Sequence, residues 1–162
     1  MAMLPPDDSV SNSPALDALL ATSMAFSGAL DAGDLSRLRG LLAPECEFVE
    51  DGASVRGADA VVELLRVAVR WSERSFDDVR PTSTVGFANE SSVEVAVTIL
   101  WMRVPGRWHR LHCERSLEFG ADGRVARLTM RCDAGAGRAF CEFARASGAP
   151  PVPRGFGIPT ED

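Results

Sequence analysis

The chain has 162 residues, 46% of them hydrophobic, and a formal net charge of −6 at neutral pH. That length describes one domain with room for a sizeable core. The acidic balance argues against general affinity for nucleic acid or anionic membranes. No apolar run approaches the ~20 residues that span a bilayer. The N-terminus "MAMLPPDDSVSNSP" has neither a basic start nor an apolar h-region, so no secretory signal is expected and the cytoplasm is the expected compartment.

Residues 1–12 are polar and Pro-rich and are expected to be disordered. "SPALDALLATSMAFSGALDAG" reads as a helix that Ser13 caps, with Pro14 in its first turn and Gly33 at its end. Asp34 then caps a shorter helix, "LSRLRGLL", with Leu35, Leu38, Leu41 and Leu42 on its buried side. Pro44 breaks that helix and "CEFVE" reads as a short strand. After a Gly-containing loop, "ADAVVELLRVAVRW" is a third amphipathic helix with Asp59 in its first turn.

From about residue 79 the hydrophobic period changes from helical to strand-like. "RPTSTVGFAN", "SSVEVAVTILWMRV", "RWHRLHCERSLEF" and "RVARLTMRC" are strands rich in β-branched and aromatic residues. "ANESS", "PGR" and "GADG" separate them, which predicts an antiparallel meander. The strand through Val95–Met102 is apolar on both faces, so each face needs a cover: helices on one side and a partner subunit on the other. A short helix is expected around residues 139–145, and the Pro/Gly-rich segment 147–162 follows it as a tail outside the domain, residues 13–146. The four cysteines (46, 113, 132 and 141) show no C-x-x-C pair and no metal-ligand spacing, and read as reduced apolar fillers.

The order of elements is an α+β pattern: a curved, mainly antiparallel sheet wraps three N-terminal helices into a cone with an internal pocket. "FSGALDAGDLSRLRGLLAPECEFVEDGASVRGADAVVELL" and the hairpin "LEFGADGRVARLTMR" resemble the nuclear-transport-factor-2-like superfamily, over roughly residues 15–132. That superfamily includes ketosteroid isomerases, small polyketide cyclases and limonene-epoxide-hydrolase-like enzymes. The fold hosts many unrelated functions, so the resemblance implies architecture more than activity.

Ketosteroid isomerases keep a general-base Asp at the end of the first strand in a "V-E-D" context, which recurs as Val49-Glu50-Asp51. The letters favour Asp51, whereas ungapped counting from "AGD" favours Glu50. Strand alternation sides with Glu50, because Cys46, Phe48 and Glu50 share one face while Glu47, Val49 and Asp51 share the other. The isomerase oxyanion donors do not carry over. Their positions correspond to Phe26 and Arg115, and the chain has no Tyr, so a standard ketosteroid isomerase is not expected.

The candidate catalytic residues are therefore Glu50, Asp51, Arg115 and His109. Glu50 or Asp51 is the base. Arg115 is expected to need a carboxylate partner or an anionic ligand, and a Glu50–Arg115 pair across the pocket would meet that need. His109 would be a proton shuttle or an ordinary sheet histidine. Phe26, Phe48, Trp71, Trp101, Leu117, Leu128 and Met130 are expected to line the pocket. Nothing in the sequence resembles a phosphate loop, a nucleophile elbow or a metal cluster, so no cofactor and no metal are expected. The expected function is isomerisation, cyclisation, dehydration or epoxide opening on a small hydrophobic carbonyl- or epoxide-containing molecule. The alternative is a non-catalytic binding or dimerisation module. Expected partners are a small hydrophobic ligand and a second copy of the chain, with neither nucleic acid nor membrane.

Overall fold

The computed structural model describes residues 14–89, 92–104 and 107–159. The expected N-terminal disordered segment, the Ser13 cap and the turns at 90–91 and 105–106 lie outside the described residues. Three helices, α1 (Pro14–Asp31), α2 (Leu35–Leu41) and α3 (Ala58–Ser75), enclose strands β1 (Leu42–Glu50) and β2 (Ala53–Arg56) in the chain order. Strands β3 (Asp78–Asn89), β4 (Ser92–Val104), β5 (Arg107–Phe119) and β6 (Val125–Cys132) follow, and α4 (Ala134–Ala146) comes last.

Two of the helices, α2 and α4, start at an aspartate whose side chain satisfies a free backbone amide. Gly33 takes a left-handed φ of 69° after α1. Asp34 then caps α2 by accepting from the Arg37 amide at 3.1 Å. Asp133 does the same for α4, accepting from Ala136 at 3.0 Å. The helix α3 buries Ala58, Val61, Val62, Leu65, Ala68 and Trp71 along one stripe and exposes the charged remainder.

The sheet is curved, open and six-stranded, in the order β2-β1-β6-β5-β4-β3. β3 to β6 form the expected antiparallel meander. Two features correct the reading from sequence. The segment expected as a loop after "CEFVE" is the strand β2, joined to β1 by a two-residue turn. In addition β1 runs parallel to β6, so the sheet is mixed. Leu42, expected on the second helix, begins β1, and the register of β1 against β6 shifts between Leu42 and Glu47, around Pro44.

Helices α1 and α3 pack against the sheet, and α4 covers β5. On β4 the inner residues Val93, Val95, Val97, Ile99 and Trp101 are buried, whereas Ala96 is exposed and Thr98 and Leu100 are half-buried on the outer face. Among the described residues no helix is long and apolar enough to cross a membrane.

Candidate functional site

Strand β1 delivers its carboxylate by simple alternation. Cys46, Phe48 and Glu50 are buried, while Glu47 and Val49 are half-buried and Asp51 is exposed. Asp51 and Gly52 form the two-residue turn into β2, with φ of 47° and 74°. Asp-Gly is the pair that tolerates two left-handed residues at a tight hairpin. Asp51 therefore sits at a solvent-exposed turn, and Glu50 is the inward carboxylate at only 3% exposure.

Glu50 meets a segment 105 residues further on: the Gly155 amide donates to its Oε2 at 2.6 Å. Burial pushes the Glu50 carboxyl above its ordinary range. The Gly155 amide, the Arg154 guanidinium and the Gly157 amide pull it back in that order, and the charge of Asp51 adds a smaller upward push. A cleft of about 390 Å³ opens beside it, walled by Cys141, Ala144 and Arg145 of α4 and by residues 149–154, 158 and 159.

Residues 147–159, the described part of the segment after α4, form neither helix nor strand, yet they pack into the cone. Gly155, Gly157 and Ile158 are buried. The Trp71 indole donates to the Pro150 carbonyl at 3.1 Å. The Cys132 amide donates to the Gly157 carbonyl at 2.9 Å. Two glycines make the approach possible. A Cβ on Gly155 would stand 2.8 Å from the Cβ of Ala68, and one on Gly157 would stand 2.6 Å from the Arg131 nitrogen. Both have left-handed φ values, 119° and 74°. Between them Phe156 enters an aromatic cluster, its ring 5.6 Å from Trp71, 6.0 Å from Trp101 and 6.3 Å from Phe140.

Arg115 is buried at 6% exposure, in the same cross-sheet row as Glu50, because Met130 of β6 pairs with both. The expected Glu50–Arg115 pair is not what this arrangement forms. Intervening β6 holds the two strands apart, and Arg115 takes Asp31 of α1 as its partner at 3.7 Å. Burial pushes the guanidinium down from its ordinary range and Asp31 opposes that shift. Arg115 and Asp31 line a second cavity of about 180 Å³ together with Trp101, Met130, Gly155 and Phe156.

His109 lies elsewhere. It is half-buried at the other end of β5, stacked on Phe143 of α4 at 4.8 Å. Its burial pushes the imidazole down from the ordinary value. Of the residues expected to line a pocket, Phe26, Phe48, Leu117 and Leu128 are core residues with no exposed surface. Trp101 and Met130 line the second cavity, and Trp71 packs against Phe76, Phe140 and Phe156. Among the described residues no three His, Cys, Asp or Glu side chains gather as metal ligands.

No protein family matches the chain by sequence, and no curated protein does. Solved structures match it by shape. An epoxide hydrolase of the LEH-like type from M. tuberculosis superposes with a TM-score of 0.54 at 18% identity, over 72% of this chain and 84% of that one. TerC, co-crystallised with polyporic acid, gives 0.62 at 17% identity, over 79% and 98%. An NTF2-like protein of unknown function from Burkholderia pseudomallei gives 0.59 at 17% identity, over 76% and 95%. The fold is nuclear-transport-factor-2-like.

Within this nuclear-transport-factor-2-like cone, three features escape a reading from sequence. Most residues that share the Glu50 cleft, Arg154 above all, belong to a Pro/Gly-rich stretch with no hydrophobic period. The acidic partner of Arg115, Asp31, sits at the end of α1 without a motif around it. The cysteines need a correction. Cys113 and Cys132 form a disulfide, because they lie directly opposite on β5 and β6 with Cα atoms 4.5 Å apart. Counting outward from the "GADG" turn sets 113 opposite 130, and only the register shift between Glu118 and Phe119 brings it to 132. Cys46 and Cys141 lie outside that disulfide. Burial, helped by Glu45 and Glu47, pushes the Cys46 thiol up to about 11, which suits the apolar filler it was read as.

Proposed function

We propose that this chain is a cofactor-independent enzyme of the isomerase, cyclase, dehydratase or epoxide-hydrolase type, with Glu50 as its general base. The substrate class is a small hydrophobic molecule carrying a carbonyl or an epoxide. One observation carries the reading: a carboxylate on the inner face of a strand end, almost fully buried, beside a cleft of about 390 Å³, with burial raising its proton affinity. A carboxylate so tuned can take an acidic proton from carbon next to a carbonyl, or from a water that attacks an epoxide carbon. The cation beside it is Arg154, placed to offset negative charge that develops on a substrate oxygen. Arg115 and His109 face other neighbours and are not given a step in this chemistry. The structure solved with polyporic acid is in keeping with a small organic ligand for this fold.

A second reading is favoured by the aromatic filling of the cone. Trp71, Trp101, Phe140 and Phe156 pack ring against ring, as in a non-catalytic binding module whose cavity its own side chains occupy. Thermal-shift and native mass spectrometry screens against hydrophobic ketones and epoxides, followed by product analysis, separate the two. For the enzyme, Glu50→Gln retains binding and loses turnover by about 100- to 10,000-fold. Turnover that survives in Glu50→Gln rejects the base, and binding without turnover in the wild type supports the module. The same mass spectra report the oligomeric state, where a homodimer through the outer face of the sheet is expected.

A further inference from the structure

The Glu50 cleft is locally positive in an acidic protein. Its charged lining groups among the described residues are Glu50, Arg145 and Arg154, two cations against one anion, in a chain of net charge −6. Glu50 is held by backbone rather than by a guanidinium. Its Oε2 accepts from the Gly155 amide at 2.6 Å, the Gly157 amide assists, and Arg154 acts on it through charge alone. A cleft with one positive charge in excess favours a ligand with a single negative charge, whereas a dianion would add repulsion from Glu50.

The two arginines differ in their distance from the carboxylate. Arg154 is among the charges that act on Glu50 and Arg145 is not. Arg145, exposed in the last turn of α4, therefore lies further out along the cleft. The rest of the wall is apolar and stiff, with Pro150, Pro151, Pro153 and Pro159 beside Ala144 and Ile158. Proline rings fix φ, so this wall is shaped before a ligand arrives. A volume of about 390 Å³ is more than twice the ~150 Å³ that holds benzene, which leaves room for two fused rings and a short chain.

We infer that the substrate of this cleft is a hydrophobic oxo acid, whose carbonyl meets Glu50 and Arg154 while a carboxylate further along the molecule binds Arg145. The planar guanidinium fork matches a carboxylate, which makes Arg145 the residue that selects the acid over its neutral analogues. Holding the molecule by a group remote from the reacting carbon positions the carbonyl at the base. The inference rests on the Glu50 cleft being the substrate site proposed above, and adds to that reading the charge of the substrate.

The test compares 4-(2-naphthyl)-4-oxobutanoic acid with its methyl ester by isothermal titration calorimetry on the full chain. The wild type is expected to bind the acid about tenfold or more tightly than the ester, the gain of a charge-assisted hydrogen bond. Arg145→Gln levels the two affinities to within about twofold, since the ester has no ion pair to lose. Arg138→Gln, which removes a charge from the same helix outside the cleft, keeps the preference. The inference is overturned if acid and ester bind the wild type alike, or if the acid does not bind up to its solubility limit. It is overturned equally if Arg145→Gln keeps the preference or Arg138→Gln loses it. Proton exchange in deuterated water separates this from the role of Glu50: a base takes a proton from the carbon beside the ketone, and a solvent deuteron replaces it. Preference for the acid without Glu50-dependent exchange sustains the carboxylate subsite and refutes the base. Glu50-dependent exchange without that preference does the reverse.

Discussion

Replacing Gly157 with Ala tests whether the C-terminal segment is seated on β6 as described. Gly157 has a φ of 74°, a conformation that costs an ordinary residue about 1–2 kcal/mol. The added Cβ would lie 2.6 Å from the Arg131 nitrogen, 2.7 Å from the Met130 carbonyl carbon and 2.9 Å from the Arg131 Cα. All three are backbone atoms of a paired strand, so none can swing aside, and such overpacking costs a further ~1–3 kcal/mol. Together about 2–5 kcal/mol weakens the seating equilibrium roughly 30- to 5,000-fold.

The bonds that hold the segment are of similar size. The Gly155 amide on the Glu50 carboxylate is charge-assisted, about 1.5–3 kcal/mol, and the Cys132–Gly157 and Trp71–Pro150 bonds add about 1 kcal/mol each. The expected outcome is release of the segment with the sheet intact. Native-state hydrogen exchange reads this directly: protection of the Gly155 and Cys132 amides falls at least 30-fold, while amides of Val97 and Leu111 at the sheet centre keep theirs. Unchanged protection at Gly155 and Cys132 refutes the argument. So does an equal loss at Val97 and Leu111, because the perturbation would then be global.

Two other outcomes follow from the site. Glu50 has a raised proton affinity in the folded state, so the native protein binds more protons than the unfolded chain just above the ordinary glutamate value, ~4.3. Stability contributed by this group is present below that pH and is lost as pH rises through the folded value. Denaturant unfolding from pH 4 upward should show this decline in the wild type and a flatter profile in Glu50→Gln; parallel profiles would contradict the burial argument. The Cys113–Cys132 disulfide closes a loop of sequence separation 19, worth about 3 kcal/mol by the chain-entropy relation. Thermal melts with and without reductant should differ accordingly in the wild type but not in Cys113→Ser/Cys132→Ser. Intact mass without reductant must also show the two missing hydrogens.

Local patterns carried much of this structure. The helical stripes of α1 to α3 and the alternation of the meander are written in residues close together in the chain. Strand parity alone turned Glu50 inward and left Asp51 in the turn. What stayed hidden depends on partners remote in sequence. Residues 147–159 have no periodicity because they bury backbone and single side chains, with Gly155 and Gly157 chosen for lack of a Cβ rather than for hydrophobicity. The Arg115 partner is chosen by the meeting of α1 with the sheet, which no local spacing encodes. The strand β2 is only four residues long, and its Asp-Gly turn was legible as chemistry for a hairpin. The short exposed run "ASVR" gave no apolar face to confirm it.

The placement of β1 beside β6 has a consequence for the order of assembly. The first strand of the chain finds its parallel neighbour only in the last, so β1 has β2 alone to pair with until residues 125–132 have been made. The meander of β3 to β6 is local and free of that delay. A chain emerging from the ribosome therefore holds its buried carboxylate strand half-paired through most of synthesis, and the segment that caps Glu50 arrives later still. The sheet is completed from its middle, at the β1–β6 seam, rather than from either edge.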